Sequence, residues 1–408
     1  MHVVFIEPRF PANQKLFVKA LAEVGAEVTA IGEGSRDSLD DDFKRWLLHY
    51  EEVRSVVDEE SVLRAVRFIQ GRKHVDRLEA VVEAHIMPVA RVREAAGIPG
   101  TSVRTAFLCR DKPAMKQLLR EGGIPCAQST GASTVAEVRE FVEQVGFPVI
   151  IKPRAGAGAS GAARVDSIAD LEPALRALGA GQPGWSVAIE EFIEGHEGFY
   201  DTLAIGGQVA HDFVSHYYPN VLEAMRTRWI SPQFIATNRL DSAPAYEELK
   251  VLGRKVVGLL GIETSATHME WFYGPRGLKF SEIGCRPPGV RAWDLYNVGN
   301  DMDLYREWAM AITHGRPGQR ASRRYAAGII ALRPDRDGVI AGYEGADAIG
   351  KAFGPHIIDW HLPPEGTPTQ PVEAGYMANA WLRMKHESYD DLRGMLDTVG
   401  QTVKVRAR

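Results

Sequence analysis

Cysteine is nearly absent from this chain of 408 residues: Cys109, Cys126 and Cys285 are the whole complement. Three thiols without a CxxC spacing exclude a disulfide framework and a thiolate zinc site, and they suit a reducing, cytoplasmic setting. No apolar run approaches the roughly 18 residues that a membrane span needs, so no membrane partner is expected. Neither sign of charge dominates, with 48 Lys+Arg against 53 Asp+Glu and a net charge of −5. That balance, without a basic stripe interleaved with aromatics, argues against a nucleic-acid partner. The opening MHVVFIEPRF meets Glu7 and Arg9 too soon to read as a secretory leader. What is present is a globular composition, 45% apolar and 25% charged, with 40 glycines. The length suits roughly two to three domains.

The first hundred residues read as α/β. His2–Ile6 is a short β-branched strand, a helical pattern runs through Leu16, Ala20, Leu21 and Val24, and Glu27–Ile31 is a second strand. This order implies a parallel sheet with a right-handed crossover. Leu78–Val82 reads as a strand and Ile86–Ala96 as a helix. Ligands of such sheets bind at the carboxyl ends of the strands, which points to the loops around Glu7–Arg9 and Glu83–His85. Gly32-Glu-Gly34 is an incomplete dinucleotide fingerprint after the wrong strand and is set aside. From Arg110 the text changes. Asp111 caps a helix with Pro113 in its first turn, and Ser133 or Thr134, with Glu137 near the third position, caps another. Residues 217–236 have no clean period and read as a long excursion, a candidate lid. Short strand-like runs and a helix at Tyr389–Val399 fill the tail.

Four features carry chemistry. Lys152 ends the apolar strand Phe147–Lys152 and runs into Pro153-Arg-Ala-Gly-Ala-Gly-Ala-Ser-Gly161. Small residues let backbone amides approach an oxyanion, and the lysine adds a compact positive charge. GxxxxGK[ST] is absent, so this is no Walker loop. Second, Glu190-Glu-Phe-Ile-Glu-Gly-His-Glu197 puts four acids at the end of a buried strand, where backbone could hold a nucleotide base. Third, Glu270 and Glu282 lie on two arms of a hairpin, nearly equidistant from residue 276. Opposed residues of an antiparallel pair come within about 5.5 Å on one face, and two carboxylates so close call for a cation. Mg²⁺, which takes one or two carboxylates plus phosphates, suits the pair, and apolar neighbours indicate a buried sheet. Fourth, Arg286 follows Glu282 in the Pro/Gly-rich turn Cys285-Arg-Pro-Pro-Gly-Val-Arg291, fit for phosphoryl or carboxylate recognition.

Taken in order, RDKPAMKQLL, IIKP with its small-residue loop, EEFIEGHE, HMEWF and EIGCRPPG resemble the ATP-grasp ligases, near the biotin carboxylase, D-alanine–D-alanine ligase and L-amino-acid ligase branches. The resemblance spans about residues 110–315. It implies an α/β chain: an N-terminal doubly wound domain over 1–105, an ATP-grasp domain over 106–318 in two lobes (106–185 and 186–318), and a small β-rich α+β domain over 319–408. It implies an ADP-forming carboxylate–amine ligase that works through an acyl phosphate on amino acids or similar small acids. Bicarbonate activation, or nucleotide binding without catalysis, are the alternatives.

Carried over to this chain, the resemblance places Lys112 and Lys152 on ATP phosphates under a loop containing Gly156, Gly158 and Ser160. Glu190 with the backbone of Glu191 and Ile193 would hold adenine, and Glu197 the ribose. Glu270 and Glu282 would bind Mg²⁺, with Mn²⁺ as a substitute. Arg286 would stabilise the transferred group, and Arg291 would take a substrate carboxylate. Relatives are often homodimers. The family usually has Asn where this chain has Gly284, which leaves open whether one or two metals bind. Cys285 reads as a packing residue. His211, His216 and His268 are candidate bases, each more readily explained by packing or a hydrogen bond. His268 is expected to point away from Glu270 and is discounted as a ligand.

Overall fold

The computed structural model describes residues 1–154, 161–372, 376 and 379–408. Among the described residues, four sheets organise the chain. The first holds β1 (His2–Ile6), β2 (Glu27–Glu33), β3 (His49–Val53) and β4 (Arg77–Glu79) in the order β3-β2-β1-β4. All its pairings are parallel, as the opening strand–helix–strand order requires. Its fourth strand is shorter than expected. Residues 80–82 leave the sheet and lead into the helix Glu83–Ala96, which places Glu83 at the carboxyl end of β4.

The second sheet holds β5 (Ser129–Ala132), β6 (Val149–Pro153), β7 (Ala163–Val165) and β8 (Val187–Glu191), ordered β5-β8-β6-β7. The helices Val135–Val145 and Ile168–Ala177 cover it around Phe141, Ile151, Leu171 and Ile189. The first of these begins with the expected capping box, Thr134 with Glu137.

The third sheet is the largest. β9 (His196–Ile205), β10 (Gln208–Tyr218), β11 (Gln233–Ala236), β12 (Ser265–Gly274), β13 (Gly277–Gly284) and β14 (Ala326–Leu332) belong to it. β15 (Ile340–Glu344) stands apart, β16 (Ile357–His361) and β17 (Ala380–His386) rejoin the large sheet, and β18 (Lys404–Ala407) pairs with β15. The eight strands run β13-β12-β9-β10-β11-β14-β17-β16, so strands beyond residue 319 extend the sheet that carries the acidic hairpin.

The candidate lid over 217–236 is shorter than the sequence suggests. Tyr217 and Tyr218 finish β10, and 233–236 is β11, paired on both sides. Only 219–232 leaves the sheet, with one helical turn at Val221–Ala224. The aromatic-rich flanks that hid the period belong to a sheet packed on both faces, where alternation fades.

One face of the large sheet packs Met269, Trp271 and Tyr200 against the helices Lys112–Glu121 and Glu247–Leu259. The other packs Phe199, Leu203 and Phe213 against Trp293, Tyr296 and Trp308, where Phe5 and Phe17 of the first domain also dock. The Phe17 ring stands edge-on to Trp308, with centroids 5.1 Å apart. No helix among the described residues is long and apolar enough to cross a membrane.

Candidate active site

Glu270 on β12 and Glu282 on β13 are direct partners across the ladder. The hairpin closes at Gly274 and Gly277, so the turn has two residues. Regular pairing from that turn would set Glu270 against Ser281. Instead the register steps after Trp271 and Phe280, Ser281 becomes the extra residue of a bulge, and Glu282 moves opposite Glu270. The bulge also keeps Phe280 and Ile283 together in the apolar cluster of the opposite face.

Two lysines address this pair. Lys152 comes from β6, as expected. Lys112 opens the helix Lys112–Glu121, held by the Asp111 carboxylate, which accepts the Ala114 N–H at 3.0 Å. Their Nζ atoms lie 3.5 Å (Lys112) and 3.7 Å (Lys152) from Oε2 of Glu282. Lys152 also bonds Oε1 of Glu190 at 2.6 Å, and Lys116 bonds the other oxygen of the same carboxylate. Glu190 is therefore not aimed at a base. Burial opposes its charge, yet Lys116 and Lys152 hold it down at about 2. Lys116 escaped the sequence reading, although it lies one helical turn beyond Lys112 and so shares its face.

Lys112 reaches Glu282 from a neighbouring recess, and Lys152, Glu190, Glu270 and Glu282 line one end of a cavity of about 410 Å³. Ile150, Phe192, Ile193, Val221, Leu222 and Phe272 give it apolar walls suited to a flat ring, while Lys152, Glu197, Glu270 and Glu282 crowd the polar part. Glu191 and Ile193 line it, and the Glu191 N–H is given to Gln128 O at 3.0 Å. Glu197 is buried, and Oε2 accepts the Val221 N–H at 2.7 Å. Gly156, Gly158 and Ser160, expected over the phosphates, lie outside the described residues.

The acids differ in charge. Burial, with Glu282 and Glu197 close by, pushes the Glu270 carboxyl up to about 8. Burial and the charge of Glu282 push Glu197 up to about 7. Glu282 goes the other way: burial disfavours its charge, but Lys152 and Lys112 keep it below the usual carboxylate range. Among the described residues no lysine or arginine pairs with Glu270, which has His268 Nε2 at 3.8 Å, and a divalent cation would supply further positive charge there. Among the described residues no three His, Cys, Asp or Glu side chains form a metal cage. Two carboxylates completed by nucleotide oxygens is the manner of Mg²⁺, and the residues present fit it.

Arg286 lies beside this cluster but is tied to the first domain. Its Nε bonds Glu83 Oε2 at 2.8 Å, and Arg110 holds the other Glu83 oxygen at 3.1 Å. Arg291 departs from expectation. It does not line the cavity; it adopts a left-handed backbone at φ 57°, is half-exposed, and pairs with Asp294 at 2.5 Å. Asp294 is also bonded by Arg383, so Arg291 caps a structural ion-pair network.

The histidine expectation for 268 is overturned. Residues two apart in a strand share a face. His268 therefore sits beside Glu270, with Nε2 3.8 Å from Oε1, and Nδ1 bonds Asp201 at 2.6 Å. Asp201 in turn accepts from the Tyr296 hydroxyl. His211 pairs with buried Glu307 at 2.8 Å, and His216 lies on the other face against Trp271, bonded to His196 and Tyr246. Cys285 packs as expected, its sulfur 3.0 Å from that of Cys109.

Residues 111–197 match the family model for the carbamoyl-phosphate synthase L chain, ATP binding domain. An L-arginine-specific L-amino acid ligase from Bacillus subtilis is 30% identical over 219 residues, covering 52% of each chain. An alanine–anticapsin ligase, also from Bacillus subtilis, is 22% identical over 250 residues, again covering 52% of each. The chain thus spans about half the length of these curated relatives. Among solved structures, an L-amino acid ligase from Bacillus licheniformis superposes with a TM-score of 0.77 at 17% identity, covering 100% of this chain and 98% of that one. An N5-carboxyaminoimidazole ribonucleotide synthetase from Thermotoga maritima gives a TM-score of 0.69 at 14% identity, covering 100% and 99%. At these identities the structural likeness establishes a shared fold.

Proposed function

We propose that this member of the ATP-grasp superfamily is a ligase that joins a small carboxylic acid to an amine, spending ATP to ADP and phosphate. The observation that carries the reading is the opposed pair Glu270 and Glu282 in one cavity, with Lys152 beside them and Lys112 3.5 Å from Glu282. A carboxylate is a poor electrophile until one of its oxygens becomes a leaving group. Its oxygen attacks the γ-phosphorus of ATP, the bond to the bridging oxygen breaks, and ADP leaves. The acyl phosphate then accepts the amine at carbon, phosphate departs, and the amine loses a proton.

The chain contributes position and charge. The apolar walls around Phe192 and Phe272 hold the base, and Glu197 faces the ribose. Lys112 and Lys152 hold the phosphates and oppose the negative charge that builds during transfer. Glu270 and Glu282 would hold Mg²⁺, which when bound neutralises nucleotide oxygens. Arg286, oriented by Glu83, faces the transferred group or the acid. Amino acids are the substrate class to try first, because the two Bacillus subtilis relatives are amino-acid ligases by name. The reaction would run in the cytoplasm, where ATP and reduced thiols coexist.

Coupled release of ADP, screened over pairs of acids and amines, tests the reading. ADP formation that needs both partners is expected. AMP and pyrophosphate as products would contradict it, and ADP release driven by bicarbonate alone would favour a carboxylating enzyme.

A further inference from the structure

Lys116 is the least exposed charged side chain of the cluster, at 1%. It does not line the cavity. Its ammonium bonds Glu190 Oε2, while Lys152 bonds Oε1 of the same carboxylate at 2.6 Å and stands 3.7 Å from Glu282. Lys152 and Glu190 both line the cavity. The five groups thus form a row, Lys116–Glu190–Lys152–Glu282–Lys112, with one cation sealed behind it.

The row poses a problem for a phosphate-binding lysine. An ammonium bonded to one buried carboxylate is bound too well to serve an incoming triphosphate. If Lys152 turned to the phosphates and Glu190 had no second partner, a buried charge would be left uncompensated, which is strongly unfavourable. Lys116 removes that penalty, because Glu190 keeps a full charge partner whichever way Lys152 points. The i,i+4 spacing from Lys112 sets both lysines on one helix face, so a single helix supplies a cation to each end of the row.

We propose that Lys116 is a positioning residue: by holding Glu190 from behind, it releases Lys152 to bind the phosphates of the nucleotide. The inference rests on the ATP-binding reading given above. Without Lys116, Glu190 captures Lys152, and phosphate affinity falls although no group that touches the nucleotide has changed.

The test is equilibrium binding of MgATP and of adenosine to Lys116→Met, Glu190→Gln and the double variant, beside the unaltered protein. Lys116→Met is expected to weaken MgATP by about tenfold or more, the size of one charge-assisted hydrogen bond. Adenosine affinity is expected to stay within about twofold, because the apolar walls are untouched; a merely structural role would weaken both ligands together. Adding Glu190→Gln should restore MgATP affinity to within about threefold, since the carboxylate that bonds Lys152 at 2.6 Å is gone. The double variant carries no unpaired buried charge, so it reports even if the single variant does not fold. MgATP affinity unchanged in Lys116→Met would overturn the proposal, as would a double variant as weak as the single. Absence of any MgATP binding by the unaltered protein would instead overturn the ligase reading itself.

Discussion

At the scale of single residues, Glu282 is closely held. Two ammonium groups lie within 3.7 Å of one of its oxygens, and a second carboxylate faces it across the ladder. Replacing Glu282 with Gln keeps the volume and removes the charge. Turnover should fall by at least about a hundredfold, the cost of losing one preorganised electrostatic partner, while the melting temperature moves little. Activity within tenfold of the unaltered enzyme would remove Glu282 from the site. Arg286 is the second test. Lysine there keeps a charge but cannot bond Glu83 and an anion through a planar fork. Arg286→Lys should lower turnover by about ten- to a hundredfold with ATP affinity nearly unchanged, read as a kcat effect separated from the KM for ATP.

The acidic pair and Lys152 were legible in the sequence because each is a local signal: a hairpin spacing, or a lysine ending an apolar strand. Lys116 was not, because its partner is 74 residues away and nothing local marks a lysine as buried. The bond from Arg286 to Glu83 spans 203 residues and was equally hidden, although each residue drew notice separately. His268 was misplaced through the face, not the residue.

At the scale of elements, the tip of the β12–β13 hairpin is pressed against the chain that follows β8. A Cβ added at Gly274 would lie 2.0 Å from the carbonyl oxygen of Glu194, a backbone atom that cannot turn aside. Gly274→Ala should therefore displace residues 191–195, of which Glu191, Phe192 and Ile193 line the cavity. A destabilisation of roughly 1–3 kcal/mol is expected, together with a raised KM for ATP. A variant with unaltered KM and melting temperature would show that the contact is slack.

Most elements were legible, since caps and glycine stops punctuate this chain clearly. The helix starting after Asp111 and the capping box at Thr134 appear where those residues direct. What failed was the 217–236 segment. Its end strands lie within a sheet covered on both faces, so the alternation that reveals a half-exposed strand is missing.

At the scale of the whole molecule, the eight-stranded sheet joins the acidic hairpin to the C-terminal strands, and one buried polar cluster ties it to the last long helix. His216 bonds His196 at 2.9 Å and the Tyr246 hydroxyl at 2.8 Å, and its ring lies against Tyr389 of that helix. Burial, with His196 and Arg393 adding to it, pushes His216 down from 6.5 to about 3. The folded protein keeps this ring neutral while the unfolded chain binds a proton below its ordinary value. Stability is therefore fully present above about pH 6.5 and falls as pH drops toward 3. Between about pH 6.5 and pH 5 the loss from this group should be roughly 1–2 kcal/mol. Thermal melts of the unaltered protein and of His216→Asn at both pH values check it; an equal loss in both would show that His216 does not carry the effect. Trp308, 2% exposed, ties the first domain to the same sheet through Phe5 and Phe17. Trp308→Ala should cost about 3–5 kcal/mol and loosen that docking, read by chemical denaturation.

The chemistry itself is tested most directly by following oxygen. An acid substrate labelled with ¹⁸O in its carboxylate, supplied with ATP and the amine, passes one labelled oxygen to the departing phosphate if an acyl phosphate forms. Mass spectrometry of the released phosphate should show one ¹⁸O for each product made. Label in AMP, or phosphate that carries none, would contradict the acyl-phosphate route.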